Sequence, residues 1–273
     1  TQIDILIEKI KETNNPTVIG VDTRYDMVPD CVKNKYSKDI HGMCSAMLEY
    51  SKALIDATYD IIPAVKLQSA YFEMYGVEGI KLYKEMIDYC KEKGMVVMAD
   101  VKRGDIGSTS AGYSKAYLGK NIINDKEEGI FDVDFATVNP YMGSDCVIPF
   151  VEDCKKYNKG IFVLVKTSNK SSGELQDLKT EDGEEIYKKV AKLVNNWGKD
   201  LVGEYSNVMS MYDVEPTLGN MLGYSNKYAL GHDIFDIKDQ NIVVFPNGNW
   251  LTKDVYYNSQ KEEYLSLTDK PVT

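Results

Sequence analysis

The sequence predicts an α/β fold built on a parallel sheet. Short apolar runs, each closed by a polar residue, alternate with stretches of helical periodicity. Strands buried under crossover helices read this way. One run, Met95-Val96-Val97-Met98-Ala99, stops abruptly at Asp100, and Asp100, Lys102, Arg103 and Asp105 then set two carboxylates and two cations within six residues. In a (β/α)8 barrel, charge at the carboxyl end of a strand lies at the mouth of the active site. A length of 273 residues suits one barrel or two small domains. Composition alone leaves a closed barrel and an open sheet as alternatives.

Ile3, Leu6, Ile7 and Ile10 follow helical spacing, and Asn14-Asn15-Pro16 stops that helix. Thr17 to Asp22 reads as a first strand. A second helix carries Met43, Met47, Tyr50, Leu54 and Ala57 on one face. Ile61 to Lys66 reads as the second strand, weakened by Pro63. A helix from Gly76 to Lys93 ends at Gly94, which suits the position just beyond a helix end. Met95 to Asp100 is the third strand. Asp134 to Asn139 and Ile161 to Lys166 continue the pattern, and a helix follows between Asp182 and Trp197. From Ser206 onward the pattern changes. Met209, Met211 and Met221 stand where β-branched residues are expected, and the last clear strand is Ile242 to Phe245.

The formal net charge of −10 argues against a nucleic-acid protein, because phosphate backbones need clustered Lys and Arg. It does not argue against an anionic small substrate. Cys31, Cys44, Cys90, Cys146 and Cys154 are odd in number and lack Cys-x-x-Cys spacing, so buried reduced thiols are expected. No apolar run approaches the ~20 residues needed to span a bilayer, and the first residues lack signal-peptide character. The expectation is a cytoplasmic protein without a membrane partner. His41 and His232 fit no triad or metal spacing.

On an extended backbone Asp100 and Lys102 point to the same side. Asp105 and Thr109 follow at loop or helix-start spacing. The run Asp100-Val101-Lys102-Arg103-Gly104-Asp105-Ile106-Gly107-Ser108-Thr109 resembles the signature of the orotidine 5′-phosphate decarboxylase family in its longer bacterial form. The resemblance extends through Gly20 to Arg24, Val65 to Glu73, Thr137 to Gly143 and Val163 to Asn169, in the family's order, and fades beyond about Tyr205. It implies a single (β/α)8 TIM barrel over 1–273, family-like over 1–205 and divergent over 206–273, with the last two β/α units atypical or incomplete.

The resemblance also implies conversion of orotidine 5′-monophosphate to UMP and CO2 without cofactor or metal. Lys102 matches the proton-donating lysine, and Asp100 the carboxylate beside the substrate carboxylate. Lys66 matches a further member of the charged network. Asp105, Ile106 and Thr109 match residues reaching the site from the second subunit of a homodimer. Asp22 matches a ribose-hydroxyl ligand and Ser168 a contact to the pyrimidine.

Chemistry asks for such an array. Loss of CO2 from C6 leaves a vinylic carbanion with little resonance stabilisation. A preplaced ammonium can stabilise that charge and then protonate the same carbon. Opposite charges ~4 Å apart attract by about 4 kcal/mol at an effective dielectric near 20.

The departure from the family lies at the phosphate. No arginine follows Arg103. Pro246 to Trp250, followed by Leu251 to Val255, is a weak counterpart of the family's phosphate loop, with Asn247 and Gly248 as donors and Lys253 as a point charge. Two other readings compete: a nucleotide-binding barrel that has lost turnover, and a metal-dependent sugar-phosphate decarboxylase or aldolase of the same superfamily.

Overall fold

The computed structural model describes residues 1–199, 243–244, 250–252 and 254–267. These fall in two compact units, Thr1–Val202 and Gly203–Thr273.

In the first unit, helix α1 (Gln2–Thr13) opens on a capping box between Thr1 and Asp4 and ends at Asn14 in left-handed conformation. Strand β1 (Val18–Val21), one-turn helix α2 (Asp30–Lys33) and helix α3 (Ile40–Asp56) follow. Next come β2 (Ala64–Gln68), α4 (Ala70–Glu73), α5 (Gly76–Glu92) and β3 (Val96–Arg103). Helix α6 (Gly107–Tyr117) leads to a hairpin of β4 (Asn121–Ile123) and β5 (Lys126–Glu128). The unit continues with β6 (Phe135–Val138), α7 (Ser144–Tyr157), β7 (Gly160–Val163) and α8 (Ile186–Gly198). The main sheet runs β1-β2-β3-β6-β7 and every pairing in it is parallel.

Alternation gives this sheet two unlike faces. Val65, Leu67, Val97, Ala99, Val101, Ala136 and Val138 join a large core with Met47, Ile55, Leu82, Met86, Ile87 and Phe150 of the flanking helices. Burying each large side chain contributes roughly 1.5–3 kcal/mol. On the other face Ala64, Val96, Met98 and Phe135 form a smaller cluster against Leu6 of α1. Two residues further along the same face, toward the carboxyl end, stand Asp100 and Thr137. Gln68 is paired in register with Asp100. The face is therefore apolar below and polar above.

Several boundaries shift for physical reasons. β2 starts after Pro63, which has no N–H to give; its carbonyl accepts from Val96 instead. The buried stripe of α3 is Cys44, Met47, Ser51 and Ile55, one register away from the expected face, and Ala57 is exposed. Ser51 can lie buried because its hydroxyl reaches Thr23 Oγ1 at 3.3 Å. Gly94 takes φ +75° just after α5, as its position suggests. Cys31 is exposed on the short α2, unlike the other four thiols. The periodicity did not reveal α6, α7 with its internal Pro149, or the β4–β5 hairpin.

The second unit holds an antiparallel sheet of β8 (Val243–Val244), β9 (Trp250–Leu251), β10 (Val255–Asn258) and β11 (Glu263–Ser266), in the order β11-β10-β9-β8. Tyr257 faces both Trp250 and Tyr264 in register, with ring centroids 5.5 and 4.8 Å away. Cross-strand aromatic pairs of this kind contribute about 0.2–1 kcal/mol each. Trp250 and Leu251, expected within a counterpart of the phosphate loop, are thus strand. No helix start follows them among the described residues.

Candidate active site

Asp100, at the carboxyl end of β3, is the centre of the polar layer. Its side chain is 9% exposed. Oδ1 accepts from Lys102 Nζ at 2.6 Å and from Thr137 Oγ1 at 2.9 Å. Oδ2 accepts from Lys66 Nζ and Gln68 Nε2, both at 3.0 Å. Four donors fill the roughly four lone-pair sites of a carboxylate. Burial would raise the pKa of Asp100, but the hydrogen bonds from Lys102, Lys66 and Thr137 outweigh it and hold the carboxyl below its usual range. Asp100 is therefore a fixed anion with no acceptor capacity to spare.

Lys102 does not reach Asp100 by regular strand alternation. β3 and β6 pair at Ala99–Ala136 and again at Arg103–Val138, so three residues of β3 oppose the single Thr137. Lys102 sits in this bulge with φ +46°. A non-glycine residue there costs about 1–2 kcal/mol, and such strain clusters at functional sites. Thr137 Oγ1 holds the bulge by accepting from the N–H groups of Val101 at 2.9 Å and Lys102 at 2.8 Å. The Lys102 side chain remains 47% exposed, and among the described residues its ammonium makes one hydrogen bond, to Asp100. Two N–H groups are left to face an incoming acceptor.

Behind the bulge, Arg103 is anchored. Its guanidinium pairs with Glu73 and stands over the Tyr113 ring at 5.4 Å. Its carbonyl accepts from Asn139 N–H at 2.8 Å. The adjacent Gly104 packs so closely that an added Cβ would lie 2.5 Å from the Asn139 carbonyl oxygen. Only glycine fits that approach.

The other expected residues are spread more widely. Lys66 Nζ lies 4.0 Å from Asp22 Oδ1, which links the end of β1 to the array. Asp105 is not ion-paired with Lys102 within this chain among the described residues. Its Oδ1 accepts from Ile106 N–H at 2.7 Å, and among the described residues it makes no ion pair. Ile106 and Thr109 are exposed at the start of α6, and Ser168 is exposed in the loop after β7. Asn247, Gly248 and Lys253 lie outside the described residues. Gln68 and Thr137 were not singled out from the sequence as site residues, although both belong to the motif blocks. The available signals were a polar residue closing β2 and a lone hydroxyl inside the apolar run of β6.

Among the described residues no group of three or more His, Cys, Asp or Glu is placed to hold a metal ion. No helix among them is long and apolar enough to cross a membrane. The arrangement offers a proton from an exposed ammonium whose position is set by a saturated buried anion.

Residues 43–218 match the model of the orotidine 5′-phosphate decarboxylase / HUMPS family. The chain is 42% identical over 211 residues to an orotidine 5′-phosphate decarboxylase of Caldicellulosiruptor bescii, covering 75% of this chain and 69% of the relative. It is 38% identical over 210 residues to that of Clostridium tetani, covering 76% and 67%. Among solved structures it is similar to Leishmania donovani OMP decarboxylase, with 31% identity, a TM-score of 0.54, and coverage of 70% of this chain and 64% of that one. An orotidine 5′-monophosphate decarboxylase of Plasmodium berghei, 22% identical with a TM-score of 0.60, covers 72% and 71% and shares the fold. That fold is the (β/α)8 barrel. The described residues supply a five-stranded part of the parallel sheet, with its crossover helices, and do not close the ring.

Proposed function

The chain belongs to the orotidine 5′-phosphate decarboxylase / HUMPS family, and from that premise we propose that it decarboxylates orotidine 5′-monophosphate to UMP and CO2 through Lys102 and Asp100. One observation carries this reading: a buried carboxylate saturated by four donors fixes an exposed ammonium at the carboxyl end of a parallel strand. With Asp100 held ionised, a substrate carboxylate bound beside it meets like charge. Loss of CO2 relieves that repulsion. The electron pair left on C6 is stabilised by the Lys102 ammonium, which then delivers its proton to the same carbon. Lys66 keeps Asp100 charged and in place. Interactions preplaced in this way need no reorganisation during the reaction.

In this reading Asp22 binds the ribose and Ser168 the pyrimidine. Asp105, Ile106 and Thr109 complete the site of a second copy in a homodimer. The exposure of Ile106 and Thr109, and the absence of an ion pair at Asp105 among the described residues, support that assignment. The setting is pyrimidine nucleotide synthesis in the cytoplasm. The test is the loss of orotidylate absorbance with purified protein. Wild type should turn over and Lys102→Ala should not.

A second reading, nucleotide binding without turnover, is favoured by one observation: the described C-terminal residues are antiparallel strands with no helix start. Calorimetry with UMP and uridine separates the two readings. UMP binding without any turnover selects the second. If the phosphate site is weak, UMP gains little over uridine. A phosphate contribution above ~4 kcal/mol, about a thousandfold in Kd, marks a competent site.

A further inference from the structure

We propose that Thr137 is a positioning residue whose hydroxyl locks the β3 bulge and thereby aims the Lys102 ammonium. This rests on the reading of Lys102 as the proton donor. A hydroxyl has one proton to donate and two lone pairs to accept with. All three are committed within one short reach of chain. The proton goes to Asp100 Oδ1 at 2.9 Å, and the lone pairs take the N–H groups of Val101 and Lys102 at 2.9 and 2.8 Å. The two N–H groups belong to residues of the bulge, where ladder pairing between β3 and β6 lapses. Without the hydroxyl both would lose these acceptors, and such groups strongly favour a partner. One atom on β6 therefore fixes both ends of the Asp100–Lys102 contact, the carboxylate directly and the ammonium through its own backbone. Branching at Cβ stiffens χ1 and keeps the hydroxyl aimed.

The test compares Thr137→Val, which keeps the branched shape but not the hydroxyl, with Thr137→Ser, which keeps the hydroxyl. Thr137→Ala serves if the valine variant does not fold, and UMP calorimetry reports folding in each. A misplacement of the order of 1 Å at a reacting group costs on the order of 100-fold. Thr137→Val should lose that much kcat while KM and the UMP Kd stay within about threefold, the pattern of an interaction needed only in the transition state. Thr137→Ser should recover most of the loss. A merely structural role would lower the melting temperature without this split. Crystal structures provide a readout independent of turnover. In Thr137→Val, Lys102 should leave the left-handed region and its ammonium should part from Asp100. The proposal is overturned if a folded Thr137→Val keeps φ near +46° at Lys102 with Nζ still 2.6 Å from Asp100. It is also overturned if that variant keeps kcat near wild type. If wild type itself does not turn over orotidylate, the decarboxylase reading fails, and the crystallographic comparison alone decides the role of Thr137.

Discussion

The sheet carries a Lys–Asp–Lys triplet at each end, and only one resembles an active site. At the carboxyl end Asp100 lies between Lys66 and Lys102. At the amino end Asp132 lies between Lys91 at 2.5 Å and Lys159 at 2.8 Å. Each triplet includes a non-glycine residue in left-handed conformation, Lys102 in one and Asp132 in the other. The difference lies in where the cations are committed. Lys159 is 11% exposed, and Lys91 also donates to the Asp132 carbonyl at 2.6 Å. These lysines tie the end of α5 and the segment after α7 to the start of β6. Lys102 is 47% exposed and faces outward from a saturated anion. A charge triplet alone does not mark a candidate site; the exposed ammonium of Lys102 is what sets this one apart.

The sharpest way to break this comparison is Lys102→Ala. Its kcat should fall by at least about 10³, within the range for a lost general acid, while UMP affinity changes far less. Retention of more than a tenth of wild-type kcat would put the proton donor elsewhere. A mixing experiment comes next. Inactive Lys102→Ala and inactive Asp105→Ala proteins, allowed to exchange subunits at random, should recover roughly a quarter of wild-type activity, since half the dimers hold one unlesioned site. No recovery despite demonstrated exchange counts against a shared site.

Asp132→Ala probes the other end. It should cost about 1 kcal/mol of stability, because two ammoniums lose their partner near the surface, and leave kcat unchanged. A fall in kcat without a fall in stability would erase the distinction between the triplets. Acid titration sharpens it further. Asp100 and Asp132 are each pushed up by burial and brought down further by their lysines. Folded values below the unfolded value of about 3.9 mean that both contribute stability in full above that pH. The contribution is lost as pH falls through the folded values. Asn variants at either position should therefore show a shallower acid unfolding limb than wild type. A limb of unchanged steepness would argue against these shifts.

The smallest effect is expected at Asp134, near the amino end. Burial pushes its carboxyl up, against one backbone hydrogen bond from Val97 at 2.9 Å. Its sign is opposite: what it contributes is present at low pH and lost as pH rises through the folded value. Asp134→Asn keeps an oxygen acceptor and should change neutral-pH stability by less than about 0.5 kcal/mol, or raise it. A large loss by denaturant melts would show that the charge itself is needed.

By itself the sequence determined the parallel α/β pattern and the strand ends that carry charge. These are local properties, since apolar runs and their polar closures are set by each strand's own burial. Only the tertiary structure decided how Lys102 meets Asp100. Alternation put the two side chains on one side of an extended strand, but it is a bulge that brings the pair together, and its partner Thr137 lies on another strand. The same holds for Gln68, whose amide matters because β2 pairs with β3 in that register. The amino-end triplet was illegible in sequence for a like reason, with its members drawn from α5, the approach to β6 and the approach to β7. Hydrogen-bond saturation is a count over neighbours from several strands, and no single stretch of chain contains that count.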